Sequence, residues 1–328
     1  MKLIIQPDER MTPVLENFSK HKSLLKIVVK ARDELELTRE WIEHHAGIVG
    51  LENLLIADNA SSLPEVLEIY RSFGPALNWF SFSGHHNLIA CASHFPQLYA
   101  ALAQSCKYVA FLDMDERLVC FSESSWYSNS EVLQRLKGIS ANLVSAPWLQ
   151  NIHERKNAFV FNEGRLEWGL LFGKPLLSSQ SPHIGTNLFH TVQYPLDSTG
   201  FCGLGVLHLS NLSVTQRLRA NKNKLIQRGL ATPTTSYLEI AAMRTDGDLP
   251  QPLVSRRCIE EIRDLIGKSH RNNSATPGSA LCKEAITLKP DQGLEFGSPH
   301  ARKLFVDFLQ NERARSLALM PATPMYVS

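Results

Sequence analysis

At 328 residues, 44% hydrophobic and 20% charged, the chain has ordinary globular composition and can bury a large core in one domain with an extension, or in two domains. A formal charge of +2 supplies no footprint for nucleic acid, and six scattered cysteines without a C-x-x-C pair exclude a zinc ribbon or a small disulfide scaffold. The opening apolar run is too short for a signal peptide and no later run approaches a membrane span, so a soluble cytoplasmic protein with at most peripheral membrane association is expected.

Residues 1–22 show little pattern. The first firm element is the apolar run 24–29, of strand length, which passes into Lys30, Arg32, Asp33 and Glu34. Leu37, Trp41 and Ile48 then recur near helical spacing, with Gly50 marking an end. A second apolar strand, 54–57, is broken by Asp58 and Asn59, so a right-handed βαβ unit places Asp33 and Asp58 on one sheet edge. Asp58 is either a ligand-binding acid or the closing residue of an Asx turn, and as a loop acid it is expected to have little packing to lose.

Ser62, Pro64 and Glu65 open a helix carrying Val66, Tyr70 and Phe73 on one face. A third strand, 78–82, and a helix striped by Cys91, Phe95, Leu98 and Leu102 lead to the strand 108–112. That strand ends abruptly in Asp113, Asp115 and Glu116, and the carboxyl edge of an open α/β sheet is where ligands bind. A turn here would converge three carboxylates on a hard cation such as Mg²⁺ or Mn²⁺, whose shell is commonly completed by substrate phosphates. Neither G-x-G-x-x-G nor a P-loop is present, which disfavours a dinucleotide-binding dehydrogenase or a P-loop enzyme.

Beyond the acids, 131–137 is a short helix stopped by Gly138, and 142–149 is a strand in which Trp148 either offers a ring face to a sugar or packs in the core. From 153 to 205 the chain is rich in Gly, Pro, His, Asn and Ser and is expected to form short strands and long loops. His208 lies in an apolar strand, as a ligand or as a satisfied core residue. Ser213 and Gln216 have capping-box spacing, opening a helix with Arg217, Arg219, Lys222, Lys224 and Arg228, which form a solvated face or attract an anion. The pairs His44-His45 and His85-His86 are expected to be structural.

Across residues 24–116 the series Lys30 to Glu34, then Glu40-Trp41, His44 and Gly47, then Asp58-Asn59 and Ser61, then Asp113, Asp115 and Glu116 resembles the GT-A glycosyltransferases. Within them it is most similar to the family 2 and family 92 group, although Arg32-Asp33 stands where that group shows Asn before Glu. The resemblance implies an α/β, GT-A (Rossmann-like), mostly parallel sheet flanked by helices. It implies a catalytic domain over 1–229, with a nucleotide-sugar half at 24–116 and an acceptor half at 140–229. Helical apolar spacing at 258–266 and 304–309, around a polar loop at 268–299, makes 230–328 a helical C-terminal extension or an independent interaction module.

It implies further that Lys30, Arg32, Asp33, Glu34, Asp58, Asn59 and Asp113 contact the nucleotide, and that Asp113, Asp115 and His208 hold Mn²⁺ or Mg²⁺ on its diphosphate. The expected activity is transfer of a sugar, from a UDP-sugar by preference, to a hydroxyl of a glycan or glycolipid in polysaccharide assembly, with inversion. The expected base is Glu167, with Glu163 and Asp197 as the other acids of the acceptor region. The rival readings are a nucleotidyltransferase, for which Lys30 and Arg32 are a poor substitute for a triphosphate loop, and a non-catalytic nucleotide-sugar or glycan-binding protein.

Overall fold

The computed structural model describes residues 6–152, 155–160, 173–181, 184–186, 199–210, 213–269 and 285–310. Four apolar runs form the parallel centre of a mixed sheet: β2 (Ser23–Ala31), β3 (Leu54–Asp58), β4 (Asn78–Ser83) and β5 (Cys106–Asp113), side by side in the order β4-β3-β2-β5. A short β1 (Gln6–Pro7) lies antiparallel on β4.

Alternation along β2 explains why both faces of the sheet are covered. Leu25, Ile27 and Val29 point to one side, where Leu37, Trp41 and Ile42 of α2 (Leu35–Val49) and Val66 and Tyr70 of α3 (Pro64–Ser72) complete a core. Val28 points to the other, against Met11, Leu15 and Phe18 of α1 (Met11–Lys20) and Leu98 and Leu102 of α4 (Pro96–Ser105). The expected α/β architecture is therefore present. Two local differences have simple causes: Met11, Leu15 and Phe18 build a helix in the stretch without evident pattern, and the Cys91-to-Leu102 helix starts only at Pro96, where proline suits a first turn.

The acids lie at a fork. β5 and the next strand, β6 (Glu116–Phe121), are joined only by Met114 and Asp115, yet in the sheet they are separated by β10 (Gly173–Ser178), β8 (Leu143–Asn151) and β12 (Leu204–His208). β10 runs antiparallel to both β5 and β8, the short β11 (Thr199–Gly200) and β12 run parallel to β8, and β12 runs antiparallel to β6, beyond which lies β7 (Trp126–Tyr127). At Gly173 the backbones approach so closely that an added Cβ would come within 2.1 Å of the Ala146 carbonyl oxygen. Consequently the side chain of the next residue, Lys174, is held in the fork.

The stretch expected as a helical extension divides in two. The helices Tyr237–Ala241 and Pro252–Ser269 share one apolar cluster with the helix Val214–Gln227, through Leu225, Ile240, Ile259 and Ile262. The strands β13 (Ile286–Leu288) and β14 (Leu294–Phe296) and the helix Pro299–Gln310 instead pack on Phe121, Leu149 and Phe159, with β13 pairing β9 (Ala158–Val160). Residues 286–296 thus extend the sheet where a loop between helices was expected, and the helix Pro299–Gln310 follows as expected. Among the described residues no helix is long and apolar enough to cross a membrane.

Candidate active site

At the carboxyl edge, parallel pairing sets Lys30 beside Asp113. Lys30 Nζ lies 3.1 Å from Asp113 Oδ1, and Lys174 Nζ lies 2.7 Å from Asp113 Oδ2 and 3.3 Å from Glu116 Oε2. Lys174 is essentially buried and Glu116 wholly so. The same Glu116 oxygen accepts the Asp113 backbone N–H at 2.7 Å, while Trp41 Nε1 donates to the Asp113 carbonyl at 3.2 Å. The result is a chain of alternating charge, Lys30, Asp113, Lys174, Glu116, running from the cleft into the core and holding the D-x-D turn from both sides.

Burial works against ionisation of Asp113, but the ammonium groups of Lys174 and Lys30 outweigh it and hold its carboxyl well below the usual carboxylate range. For Glu116, burial dominates and lifts the carboxyl to about 7 against the pull of Lys174. The expected convergence of three carboxylates on one cation is not what the turn produces. Two of the three acids are engaged by ammonium groups, and among the described residues no group of three or more His, Cys, Asp or Glu side chains is placed to hold a metal ion.

Asp115 points elsewhere. Because His208 ends β12 opposite Glu116, and the Leu209 N–H donates to the Asp115 carbonyl at 2.7 Å, the imidazole Nε2 comes 3.2 Å from Asp115 Oδ2. The His208 ring stacks on Trp148 with centroids 4.6 Å apart. Burial disfavours charge on both partners, yet each stabilises the other, so Asp115 titrates below its ordinary value and His208 above its own. The pair fits a divalent cation: neighbouring ligands about 2.1 Å from one ion lie about 3 Å apart, and a carboxylate with an imidazole is a common donor set for such metals. Two protein ligands leave the other positions of a cation to water and phosphate oxygens.

The other nucleotide-side residues separate into two sets. Lys30, Arg32 and Glu34 line a cleft of about 380 Å³ together with Asp113, Asp115, Trp148 and His208. Asp33, Asp58 and Asn59 are not among its lining residues. Asp33 adopts φ 54°, a conformation Asp tolerates, and its carboxylate accepts the N–H groups of Ser62 and Leu63 at 2.7 and 2.9 Å. Asp58 is wholly buried: Oδ1 accepts from Ser61 Oγ at 2.5 Å and Tyr70 OH at 3.2 Å, and Oδ2 accepts from the Ser61 N–H at 2.9 Å and Ser81 Oγ at 3.4 Å. Asn59 donates to the carbonyls of Phe82 and Gly84.

Asp58 therefore has much to lose, contrary to the expectation of a loosely packed loop acid. Asp58→Ala removes four accepted hydrogen bonds and strips Tyr70 of this acceptor, so a loss of about 2–4 kcal/mol is expected in urea unfolding. A midpoint equal to that of the wild type would show that the carboxylate does not hold the turn.

Glu34 behaves oppositely. Burial, reinforced by the Asp115 and Glu36 carboxylates, pushes it up to about 8, with Lys224 and Arg219 opposing the shift. In the unfolded chain the same group ionises near pH 4, so the stability it contributes is fully present below that pH and is lost as pH rises through about 8. Glu34→Gln, which cannot ionise, is expected to exceed the wild type by about 2 kcal/mol at pH 8.5, with the gap narrowing toward pH 5. Urea unfolding at the two pH values measures this, and a gap independent of pH would contradict it.

His44 and His45 are structural, as expected. His45 Nδ1 donates to the Trp41 carbonyl and Nε2 accepts the Leu118 N–H, while His44 Nε2 donates to the Leu118 carbonyl, so both bolt α2 to β6. Of the other pair, His86 lines the cleft beside Asn87, whose side-chain oxygen accepts from Lys30 at 2.6 Å. Burial and the nearby Lys30 push the His86 imidazole down to about 3.

The opposite wall is one stripe of the helix Val214–Gln227 and the residue after it: Gln216, Arg217, Ala220, Lys224, Gln227 and Arg228. The helix begins as its sequence implies, with Ser213 Oγ accepting the Gln216 N–H at 3.1 Å. Of its five cations, Arg217, Lys224 and Arg228 face the cleft, Arg219 pairs with Glu36, and Lys222 donates to the Pro233 carbonyl. Lys174, His86 and Gln227 are cleft or fork residues that sequence reasoning did not single out for the site. The expected bases Glu163, Glu167 and Asp197 lie outside the described residues.

No family model matches the chain, and no curated protein matches it. Among solved structures, the chain is similar to residues 1–349 of S. aureus TarS, at 11% identity over 89% of this chain and 83% of that chain, with a TM-score of 0.34. It is similar to the mannosyltransferase PcManGT from Pyrobaculum calidifontis, solved with GDP-Man and Mn²⁺, at 10% identity over 95% and 90%, with a TM-score of 0.34. A third is the glucosyl-3-phosphoglycerate synthase of Mycobacterium tuberculosis, solved with Mn²⁺, UDP and glucosyl-3-phosphoglycerate, at 15% identity over 67% and 84%, with a TM-score of 0.31. At such TM-scores and identities these likenesses assign no function to this chain.

Proposed function

We propose that this chain is a metal-dependent glycosyltransferase that moves a sugar from a nucleotide diphosphate sugar, with UDP-sugars favoured, to a hydroxyl of a glycan or glycolipid acceptor, inverting the anomeric centre. The observation that carries the reading is the Asp115–His208 pair, 3.2 Å apart, opening into a cleft at the carboxyl edge of a parallel α/β sheet. The sequence offers no glycine-rich loop for phosphates, and a cation on that pair would supply a means of holding them.

In this reading Asp115 and His208 hold Mn²⁺ or Mg²⁺, which when bound stabilises the charge of the departing diphosphate. Lys174 and Lys30 keep Asp113 ionised and brace the turn that presents Asp115. Arg32 and Glu34 line the side of the cleft where β2 ends and are assigned to the nucleotide. Trp148 braces the His208 ring by stacking. Glu167, with Glu163 and Asp197 as alternatives, is assigned to take the acceptor hydroxyl proton. The activity is assigned to the cytoplasm, with at most peripheral contact to membrane.

The test is a screen of UDP- and GDP-sugars for metal-dependent sugar release. Release in Mn²⁺ that stops in EDTA is the expected result. Nucleotide diphosphate binding without release from any sugar donor, with or without candidate acceptors, would instead favour a non-catalytic binding protein.

A further inference from the structure

Most cations of the cleft are already committed to protein partners. Lys30, together with Lys174 of the fork behind the cleft, neutralises Asp113. Arg217 Nε donates to Glu261 at 2.8 Å, and Arg228 donates to Gln251 Oε1 at 3.1 and 2.8 Å and to the Lys224 carbonyl at 2.6 Å. Arg32 lies 3.9 Å from Asp33. The ammonium group of Lys224 has no hydrogen bond or ion pair among the described residues.

Its setting is built for a ligand. Leu225 is buried next to it and anchors the helix, while the small Ala220, one turn earlier, lines the same cleft. Three residues on, Gln227 lines the same cleft with its side-chain oxygen buried and unpartnered among the described residues. His86, also lining the cleft, has Nδ1 in the same condition. Buried polar atoms without partners are uncommon in native proteins and mark places where a bound group supplies the missing contacts. The ammonium suits a phosphoryl oxygen, while Gln227 Oε1, which can only accept, suits a hydroxyl of the same ligand, in a cleft also lined by the metal-competent Asp115 and His208.

We propose that Lys224 is the phosphate-binding cation of the helix wall, taking a phosphoryl oxygen of a nucleoside diphosphate on the opposite side from the Asp115–His208 pair. The proposal rests on the donor reading above and adds to it a second, metal-independent hold on the diphosphate. It also gives a role to the one cation of this helix that has no hydrogen bond or ion pair among the described residues.

The test uses the full chain and two probes, inorganic pyrophosphate and UDP, titrated calorimetrically in Mn²⁺. Lys224→Met is expected to weaken both by about tenfold, equivalent to about 1.4 kcal/mol, and Lys224→Arg to restore most of the loss. Lys222→Met, on the same helix but with its ammonium directed to the Pro233 carbonyl, is expected to bind as the wild type does. An unchanged thermal midpoint for Lys224→Met, an exposed position, separates lost binding from lost fold. If the wild type binds and Lys224→Met binds both probes equally well, the assignment of Lys224 is overturned while the donor reading stands. Loss of UDP binding with pyrophosphate binding intact also overturns it, since the contact would then be to the nucleoside. A wild type that binds neither probe in Mn²⁺ overturns the donor reading and this proposal together.

Discussion

Lys174→Met is expected to destabilise the folded chain by about 3–5 kcal/mol, the range seen when one partner of a buried ion pair is removed. The side chain is essentially buried and serves two carboxylates at once, Asp113 at 2.7 Å and Glu116 at 3.3 Å. Without it Asp113 retains only Lys30, and Glu116 retains no cation within ion-pairing distance among the described residues. Neutralising the stranded acid should recover part of the loss, so the double variant Lys174→Met with Glu116→Gln is expected to be more stable than Lys174→Met alone. Urea unfolding of the three proteins measures this, and a single variant within about 0.5 kcal/mol of the wild type, the range of ordinary surface substitutions, would show that the charge chain carries no weight.

Asp115→Asn and His208→Ala are expected to act on the ligand instead. Each removes one of the two protein donors placed to hold a cation, so the affinity for UDP or GDP in Mn²⁺ should fall at least about tenfold, equivalent to about 1.4 kcal/mol, while affinity in EDTA changes little. Asp113→Asn separates the two acids of the D-x-D turn. In the geometry described, Asp113 is bound by lysines, so its replacement should cost chiefly stability, whereas replacement of Asp115 should cost chiefly metal-dependent binding. Equal loss of metal-dependent binding from both, with stability intact, would mean that the two acids share the cation.

Much of this arrangement was legible before the structure. Apolar runs of strand length ending in charge located β2, β3 and β5 and hence the functional edge, because burial on both faces leaves few polar positions within such strands. The Ser213 cap and the structural roles of His44 and His45 were equally readable. What stayed hidden depends on distant pairing. A two-residue link between β5 and β6 looks like a hairpin, and nothing local indicates that β10, β8 and β12 insert between them. Lys174 therefore carries no local signal in the sequence beyond the preceding Gly173, where the backbones approach closely. For the same reason Asp58 looked like an exposed loop acid: its partners Tyr70 and Ser81 come from the following helix and the next strand.

The most direct measurement is calorimetric titration of the wild-type chain with UDP and with GDP, once in Mn²⁺ and once in EDTA. A site that holds phosphates through a cation on Asp115 and His208, with Lys224 in support, predicts binding of at least one nucleotide that is tenfold or more tighter in Mn²⁺, equivalent to about 1.4 kcal/mol or more. Equal affinity for both nucleotides in Mn²⁺ and in EDTA, or no binding of either in both, would contradict it.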